Sequence, residues 1–571
     1  MTFDATYRDE LAFLREMGRE IALEHPGLCD TLAEPGRDPD VERLLEGFAF
    51  VAARTRERAD DAIPEAIDAI AEMIAPHAMR PVPASTVVEL TPRGSIVRDR
   101  VHVAAGAAFG GRPIDGTRCE LRSTSGVDLL PLVVERAVLD RSRARAPRLV
   151  VSLRTPRASL DLVHGARPIR FFVHAPLGVA STLMLAIDRH LQRVCVRIGD
   201  RETATGLSVR PIDPDVEPHL PWPERSPEAA HHLIELAYFP ERHLFFDVVG
   251  LDRVPSEARA ERFDVCIELA EGAPLPDALA EDALRLHCVP AINLFPCDAE
   301  PISWRDDLRD VPLRGAGIPP SAIEVFDVRS VVGLAEGSRR RTYRSFVGFD
   351  HLAAPGATGF YALRRCVNAR DGAVDTFMRV GARATSGPET LSTELRCTNR
   401  LLVTKLRTGD VCEPIAGSPA VATFTNLSPL GPRASCPTGS AALYALVGAS
   451  GTGRRTRLSS NAIAGWLATC AVPAASDVAR SRVCGSLARS ISEVREKPFR
   501  AARRGLIERG LSIEIDVDEA LVPSVGEAYL LTRALDRALA CELPLNVQQQ
   551  LTAVLSPSRT RVTMPTRAAP E

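Results

Sequence analysis

Lysine is almost missing from this sequence. Only Lys405 and Lys497 occur, so nearly all the positive charge is carried by arginine. The rigid guanidinium fork suits bidentate ion pairing at interfaces. A net charge of one sign is missing as well: 70 basic residues stand against 73 acidic ones, which leaves −3. A dedicated nucleic-acid binder is usually basic, so this balance speaks against that class. Aromatic residues make up only 5% of the chain. The arginine clusters RSRARAPR (141–148), GSRRRTYR (337–344) and RAARRG (500–505) lack the interleaved aromatics on which bases stack, and read as solvated or partner-facing patches.

The 13 cysteines include no CxxC pair and no zinc-site spacing. A chain of 571 residues needs no disulfide framework, so they read as reduced thiols filling cores in a cytoplasmic protein. The opening MTFDATYRDELAFL has no basic region followed by an apolar one, so no signal peptide is expected. The longest uncharged run, Ala434 to Gly453, carries Pro437 and four glycines. A spanning helix needs about 20 predominantly apolar residues, which excludes that run.

What is present is an ordinary soluble composition, 45% apolar and 25% charged, long enough for several domains. Tyr7, Leu11, Leu14, Met17 and Ile21 recur at helical spacing until Pro26 and Gly27. A second helix begins after Asp38 or Asp40 as cap, with Val41, Leu44, Leu45, Phe48 and Val51 on one face. A third is expected from about Ile63, with Pro64 in its first turn, through Ile67, Ile70 and Ile74. From Thr86 the pattern becomes strand-like in STVVELTP, VHVAAGAAF, APRLVVSL, IRFFVHA and QRVCVRIG. The fold class expected is a multidomain α+β protein. Its parts are an N-terminal amphipathic helical block (1–83), a strand-rich domain (84–210), a Pro-rich linker or arm (211–228), a mixed, strand-rich middle region (229–428), a mixed α/β C-terminal region (429–555) and a disordered tail (556–571).

Candidate chemistry is sparse. GASGTGRR places Gly448 and Gly453 at phosphate-loop spacing, but Arg454 and Arg455 stand where lysine and a hydroxyl are required. A nucleotide-binding enzyme built on Gly448–Arg455 is therefore the weaker reading, and a helix-terminating loop the better one. His231, His232 and Glu235 on one predicted helix do not match the HExxH metal pattern, and the two histidines read as surface or capping groups. VPAINLFPCDAEPI (289–302) poses a sharper choice. Asp298 and Glu300 beside a thiol could be an acid/base pair, or the segment could be a rigid turn presenting an apolar ridge. No catalytic nucleophile, metal site or cofactor motif is recognised.

Several separated stretches match one known family. YRDELAFLREMGREIALEHPGL (7–28) and DPDVERLLEGFAFVAARTRERADDAIPEAIDAIAEMIAPHAMRPVPASTVVEL (38–90) resemble the type VI secretion baseplate family TssF, also called ImpG or VasA. AYFPERHLFFDVVGL (237–251), PAINLFPCDAEPI, VFDVRSVVG (325–333), LRCTNRLLV (395–403), RGLIERGLSIEIDVDEA (504–520) and a C-terminal helix over 529–551 continue the likeness. Residues 429–472 and the helix interruption at Pro544 depart from it. The resemblance implies a structural, non-enzymatic wedge component of a contractile machine. Its implied partners are a TssG-like subunit, a second copy of the chain, TssK, TssE, the spike hub and the sheath, in a cytoplasmic baseplate docked at the inner-membrane complex. The equivalent part of another phage-tail-like injection device is the alternative. Leu11, Leu14, Met17, Leu44, Leu45 and Phe48 are then candidate bundle or interface positions. Pro290, Asn293, Leu294, Phe295, Pro296 and Pro301 are expected to form a structural segment in which Asn293 and Asp298 bond nearby backbone.

Overall fold

The structure is a computed structural model. It describes residues 3–25, 27, 38–94, 99–142, 146–155, 168–203, 206–214, 216, 218–223, 226–251, 261–304, 310–335, 340–346, 357–368, 372–382, 389–431, 433–438, 458–471, 485–503, 506–544 and 547–568. The chain divides into two compact units, Met1–Ala71 with Gly439–Tyr444, and Glu72–Thr438 with Ala445–Glu571.

The first unit is helical. Helix α1 spans Phe3–Glu24 and α2 spans Pro39–Ile74. The Asp38 carboxylate accepts from the amide of Asp40 at 3.0 Å, which satisfies a first-turn donor of α2. Two amphipathic segments, read above as separate helices, are one: α2 continues through Pro64 for 36 residues. An interior proline costs about 3 kcal/mol, and the residues on both sides keep the helix going despite it.

In the second unit, sheets are assembled from distant parts of the chain. The six-stranded sheet runs Val411–Glu413, Ala108–Gly111, Glu120–Ser123, Cys288–Ile292, Ser85–Pro92, Ala422–Asn426. The boundaries expected at 210 and 229 therefore do not separate sheets: strand Ser85–Pro92 lies between Cys288–Ile292 and Ala422–Asn426 in antiparallel register. A second sheet joins Arg201–Thr203, Leu191–Ile198, Arg262–Leu269, Arg148–Arg154 and Val133–Asp140, and a third joins Ser208–Pro211, Phe245–Val249, Ile169–Val173 and Leu284–Leu286. The largest sheet has eight strands, in the order Phe295–Asp298, Glu389–Thr398, Glu324–Ala335, Arg340–Ser345, Ala357–Val367, Val374–Ala382, Val311–Pro312, with Ile302–Trp304 also on Glu389–Thr398.

Helices α3 (Leu177–Arg189), α4 (Glu228–Tyr238), α5 (Ser460–Ala471) and α6 (Val525–Ala540) contribute to the main core. Helix α3 meets α6 at close range, because a Cβ on Gly526 would lie 2.1 Å from the amide nitrogen of Thr182. The buried hydroxyls of Ser181 and Thr182 are satisfied within α3, by Leu177 O at 2.6 Å and Gly178 O at 2.7 Å. Ser524 caps α6, accepting from the amide of Glu527 at 3.1 Å.

Three further expectations change. The Pro-rich stretch 211–228, expected to be a linker or arm, contains packed residues. His219, Leu220 and Ser226 are buried, and the His219 ring bonds Ser85 Oγ at 2.8 Å and Thr124 Oγ1 at 3.0 Å. The helix expected to reach 551 stops at Ala540; Pro544 falls in the following turn, and Val547–Ser556 is a strand parallel to Leu506–Asp518. The tail expected to be disordered adds strands Arg561–Thr563 and Arg567–Ala568 to that sheet. Asp536 on α6, fully buried, supplies the reason: it needs a partner, and Arg567 reaches it at 2.9 Å.

Candidate interface and anchoring residues

On the first unit the pattern of burial is inverted. The residues buried on α1 and α2 are mostly small, among them Gly18, Ala22, Ala49 and Ala53, together with Leu11. Arg15 ties the helices through an ion pair with Glu42, Nε to Oε1 at 2.8 Å. Large apolar side chains face outward. Phe13, Met17 and Ile21 form one stripe at helical spacing on α1, and Leu44, Phe48 and Val51 form another on α2. Leu44 is 64% exposed and Phe48 67%. The six predicted positions thus divide: Leu11 is buried, Leu14 and Leu45 are half-buried, and Met17, Leu44 and Phe48 lie open.

VPAINLFPCDAEPI is not a turn. It belongs to two sheets. Cys288–Ile292 is a strand of the six-stranded sheet, and Phe295–Asp298 is the first strand of the large one. Ile292, Leu294 and Phe295 are buried, and so is Pro290; Pro296 and Pro301 are exposed. Between the strands sits Asn293, completely buried. Its Nδ2 donates to Glu120 O and to Asn399 Oδ1, each at 2.7 Å, and its Oδ1 accepts from the amide of Asn399 at 2.8 Å. Asn399 Oδ1 also accepts from the amide of Glu120 at 3.0 Å. The bonded groups are therefore remote in sequence rather than nearby backbone. Asp298 and Glu300 both project to solvent, which removes the desolvation that an acid/base pair would use.

Charge is anchored in the same unit by arginines. Arg400, with a fully buried side chain and a left-handed backbone (φ 50°), bonds Asp375 Oδ1 at 2.8 Å and Pro320 O at 2.9 Å. Arg433 pairs with buried Glu324, whose carboxyl is pushed up by burial. Arg80 and Arg396 flank the Phe326 ring and share Asp327. Arg365 reaches Glu72 at 3.2 Å. No local pattern marked these pairs, since each joins residues far apart in the chain.

The histidines of HHLIE are not surface groups of one kind. His231 stacks on Trp222 at 4.2 Å and bonds Ser226 Oγ at 2.6 Å; burial and then the neighbouring His77 and His232 push its pKa down to about 3. Glu235 is buried and engaged, accepting from the amides of His219 and Leu220 and from Trp222 Nε1 while pairing with Arg242. Trp222, His231, His232 and Glu235 line a cavity of about 560 Å³, together with Arg537 and Arg567. Among the described residues, Cys195, Glu202 and Glu268 place potential metal-ligand atoms within 4.8 Å of one another. Arg148 pairs with both carboxylates there, at 2.9 and 2.6 Å. The phosphate-loop-like Gly448–Arg455 lies outside the described residues, as do parts of all three arginine clusters.

The family model for the type VI secretion system protein TssF matches residues 1–570. The chain belongs to the TssF family. TssF1, a type VI secretion component of Pseudomonas aeruginosa, is 29% identical over 363 residues, 58% of this chain and 57% of that protein. The match thus spans little more than half the length of that relative. A chain of the cryo-electron microscopy structure of the TssK–TssF–TssG baseplate subcomplex superposes with a TM-score of 0.76 at 25% identity, covering 93% of this chain and 99% of that one. A chain of the baseplate complex from the type VI secretion system covers all of both at 23% identity, with a TM-score of 0.67, and has the same fold. The expected multidomain α+β class agrees with these. Among the described residues, no helix is long and apolar enough to cross a membrane.

Proposed function

We propose that this chain is a scaffold of the type VI secretion baseplate, binding TssG-like and TssK-like subunits and acting without catalysis. The carrying observation is the pair of exposed apolar stripes on α1 and α2, Phe13/Met17/Ile21 and Leu44/Phe48/Val51. Moving one such side chain from water into a packed interface contributes roughly 1.5–3 kcal/mol. Several together outweigh the ordering cost of a helical bundle completed by other chains. A second copy of the chain, TssE, the spike hub and the sheath are the further partners of this reading, in a cytoplasmic assembly docked at the inner membrane. Pro290, Asn293, Leu294, Phe295, Pro296 and Pro301 are then a structural segment of the second unit.

Co-expression with the neighbouring TssG-like and TssK-like proteins tests this by size and mass analysis. A stable assembly is expected, lost in Leu44→Asp/Phe48→Asp while circular dichroism stays unchanged. A folded chain that ignores both partners would refute the proposal.

A further inference from the structure

The thiol of VPAINLFPCDAEPI is Cys297, half-buried on the strand Phe295–Asp298 at the edge of the large sheet. The register sets Phe295 opposite Cys397 and Cys297 opposite Leu395. The two cysteines therefore stand on one face of neighbouring strands, offset by two positions, where diagonal side chains can meet. Cys297 packs against the apolar cluster in which Cys397 is fully buried. The Cys397 thiol donates a hydrogen bond to the Cys297 sulfur.

Cys297 Sγ also lies against the backbone of Gly315 and Ala316. A Cβ on Gly315 would come within 2.9 Å of the sulfur, and the Ala316 amide donates to it. Two donors thus converge on one half-buried sulfur, and the thiolate is the reactive form of cysteine. The Cys397 thiol holds Cys297 below the usual thiol range; the Ala316 amide adds to this, while burial and the carboxylates of Asp298 and Glu120 oppose it. The same bond, with burial, pushes Cys397 far up, so the shared proton rests on Cys397. Cys195 and Cys266 make a contrasting pair. They face each other directly across their strands, but both are fully buried, and burial pushes both up, Cys266 to about 12. Buried thiols in such surroundings are inert.

We infer that Cys297 is a site of oxidation by hydrogen peroxide, and that Cys397 is the resolving thiol that closes it into a disulfide. The Cys297 sulfur attacks one peroxide oxygen. The S–O bond forms, the O–O bond breaks, and the departing hydroxide takes the thiol proton and leaves as water. Cys297 is then a sulfenic acid, oxidised by two electrons as the peroxide is reduced. The Cys397 sulfur attacks it next. The S–S bond forms, the S–O bond breaks, and the Cys397 proton leaves with the hydroxyl as a second water. A disulfide needs its sulfurs at about 2.05 Å, so the strands must draw together. Phe295–Asp298 has only four residues and lies at the sheet edge, which leaves it room to shift. In a reducing compartment such a bridge is transient, formed under oxidation and removed by thiols.

The test treats the full-length chain with hydrogen peroxide under native conditions, blocks the remaining thiols with iodoacetamide and reads the cysteine peptides by mass spectrometry. A Cys297–Cys397 crosslink, lighter by two hydrogens than the paired thiols, is expected before any Cys195–Cys266 crosslink, and dithiothreitol should remove it. Without peroxide, iodoacetamide should reach Cys297 faster than Cys412, which is also half-buried. In Cys397→Ser the bridge cannot close, so the sulfenic acid should persist on Cys297 and be captured by dimedone. Cys297→Ser should lose both products. Unchanged circular dichroism keeps each comparison within the folded chain. Should Cys397→Ser fail to fold, the crosslink in the unmodified chain and its loss in Cys297→Ser decide the matter. Dimedone capture on Cys297 of the unmodified chain with no crosslink overturns the role of Cys397. Alkylation slower than at Cys412, or a crosslink formed only in urea, overturns the inference as a whole.

Discussion

Replacing Asn293 by alanine removes both ends of a buried amide exchange. Asn293 Nδ2 makes its two donor contacts at 2.7 Å, and its Oδ1 accepts from the Asn399 amide at 2.8 Å. The alanine variant leaves the Asn399 N–H and the Glu120 carbonyl without those bonds in a place closed to water. A buried group left unsatisfied costs about 1–3 kcal/mol, so a loss of roughly 2–4 kcal/mol is expected after relaxation. A chain of this size need not unfold in one step, and a single midpoint would blur the effect. Native-state hydrogen exchange at the Asn399 amide reads it locally. Exchange should quicken about 30- to 900-fold, the same energy expressed as a rate ratio. Asn399→Ala alone and Asn293→Ala/Asn399→Ala close the cycle. The double variant should cost clearly less than the sum of the singles, because each single orphans the other's partner. Additive losses, or exchange at Glu120 and neighbouring residues unchanged in Asn293→Ala, would refute the assignment of this pair as the joint between two sheets.

Buried histidines make the fold acid-sensitive. Burial lowers His77 and His287 to about 4, and holds His219 and His243 well below their ordinary value. The unfolded chain takes up protons near pH 6.5 while the folded chain does not, so stability is full above that pH and is lost as pH falls toward 4. Each such histidine contributes a slope of about 1.4 kcal/mol per pH unit, and thermal unfolding between pH 7 and 5 should show it, with His287→Gln flattening the curve. Gly526→Ala should cost roughly 1–3 kcal/mol through overpacking, because its methyl would meet the α3 backbone; an unchanged melting temperature would refute that close approach. Asp298→Asn/Glu300→Gln, at exposed positions, should alter stability by less than about 0.5 kcal/mol and leave assembly intact; a folded chain that no longer assembles would make those charges functional.

Much of this protein is local and was legible in the sequence. Helical spacing marks α1 and the first part of α2, and Asp38 marks a cap. Alternation marks STVVELTP as the strand Ser85–Pro92. Separated motifs point to the TssF family, which the full-length match bears out. These signals work because backbone period, capping and chain punctuation depend on residues within a few positions of one another.

What the tertiary structure decided depends on partners far along the chain. His219 in the proline-rich stretch is held by Ser85 and Thr124. The C-terminal tail is ordered because Arg567 answers a buried carboxylate on α6. Asn293 is a joint between sheets only because Asn399 lies beside it, 106 positions away. The pattern of apolar residues on α1 and α2 could announce amphipathic helices, but not that small residues are the buried ones while Phe48 lies open. Hydrophobic periodicity names a face without naming what covers it; that is settled by how distant surfaces compete for burial.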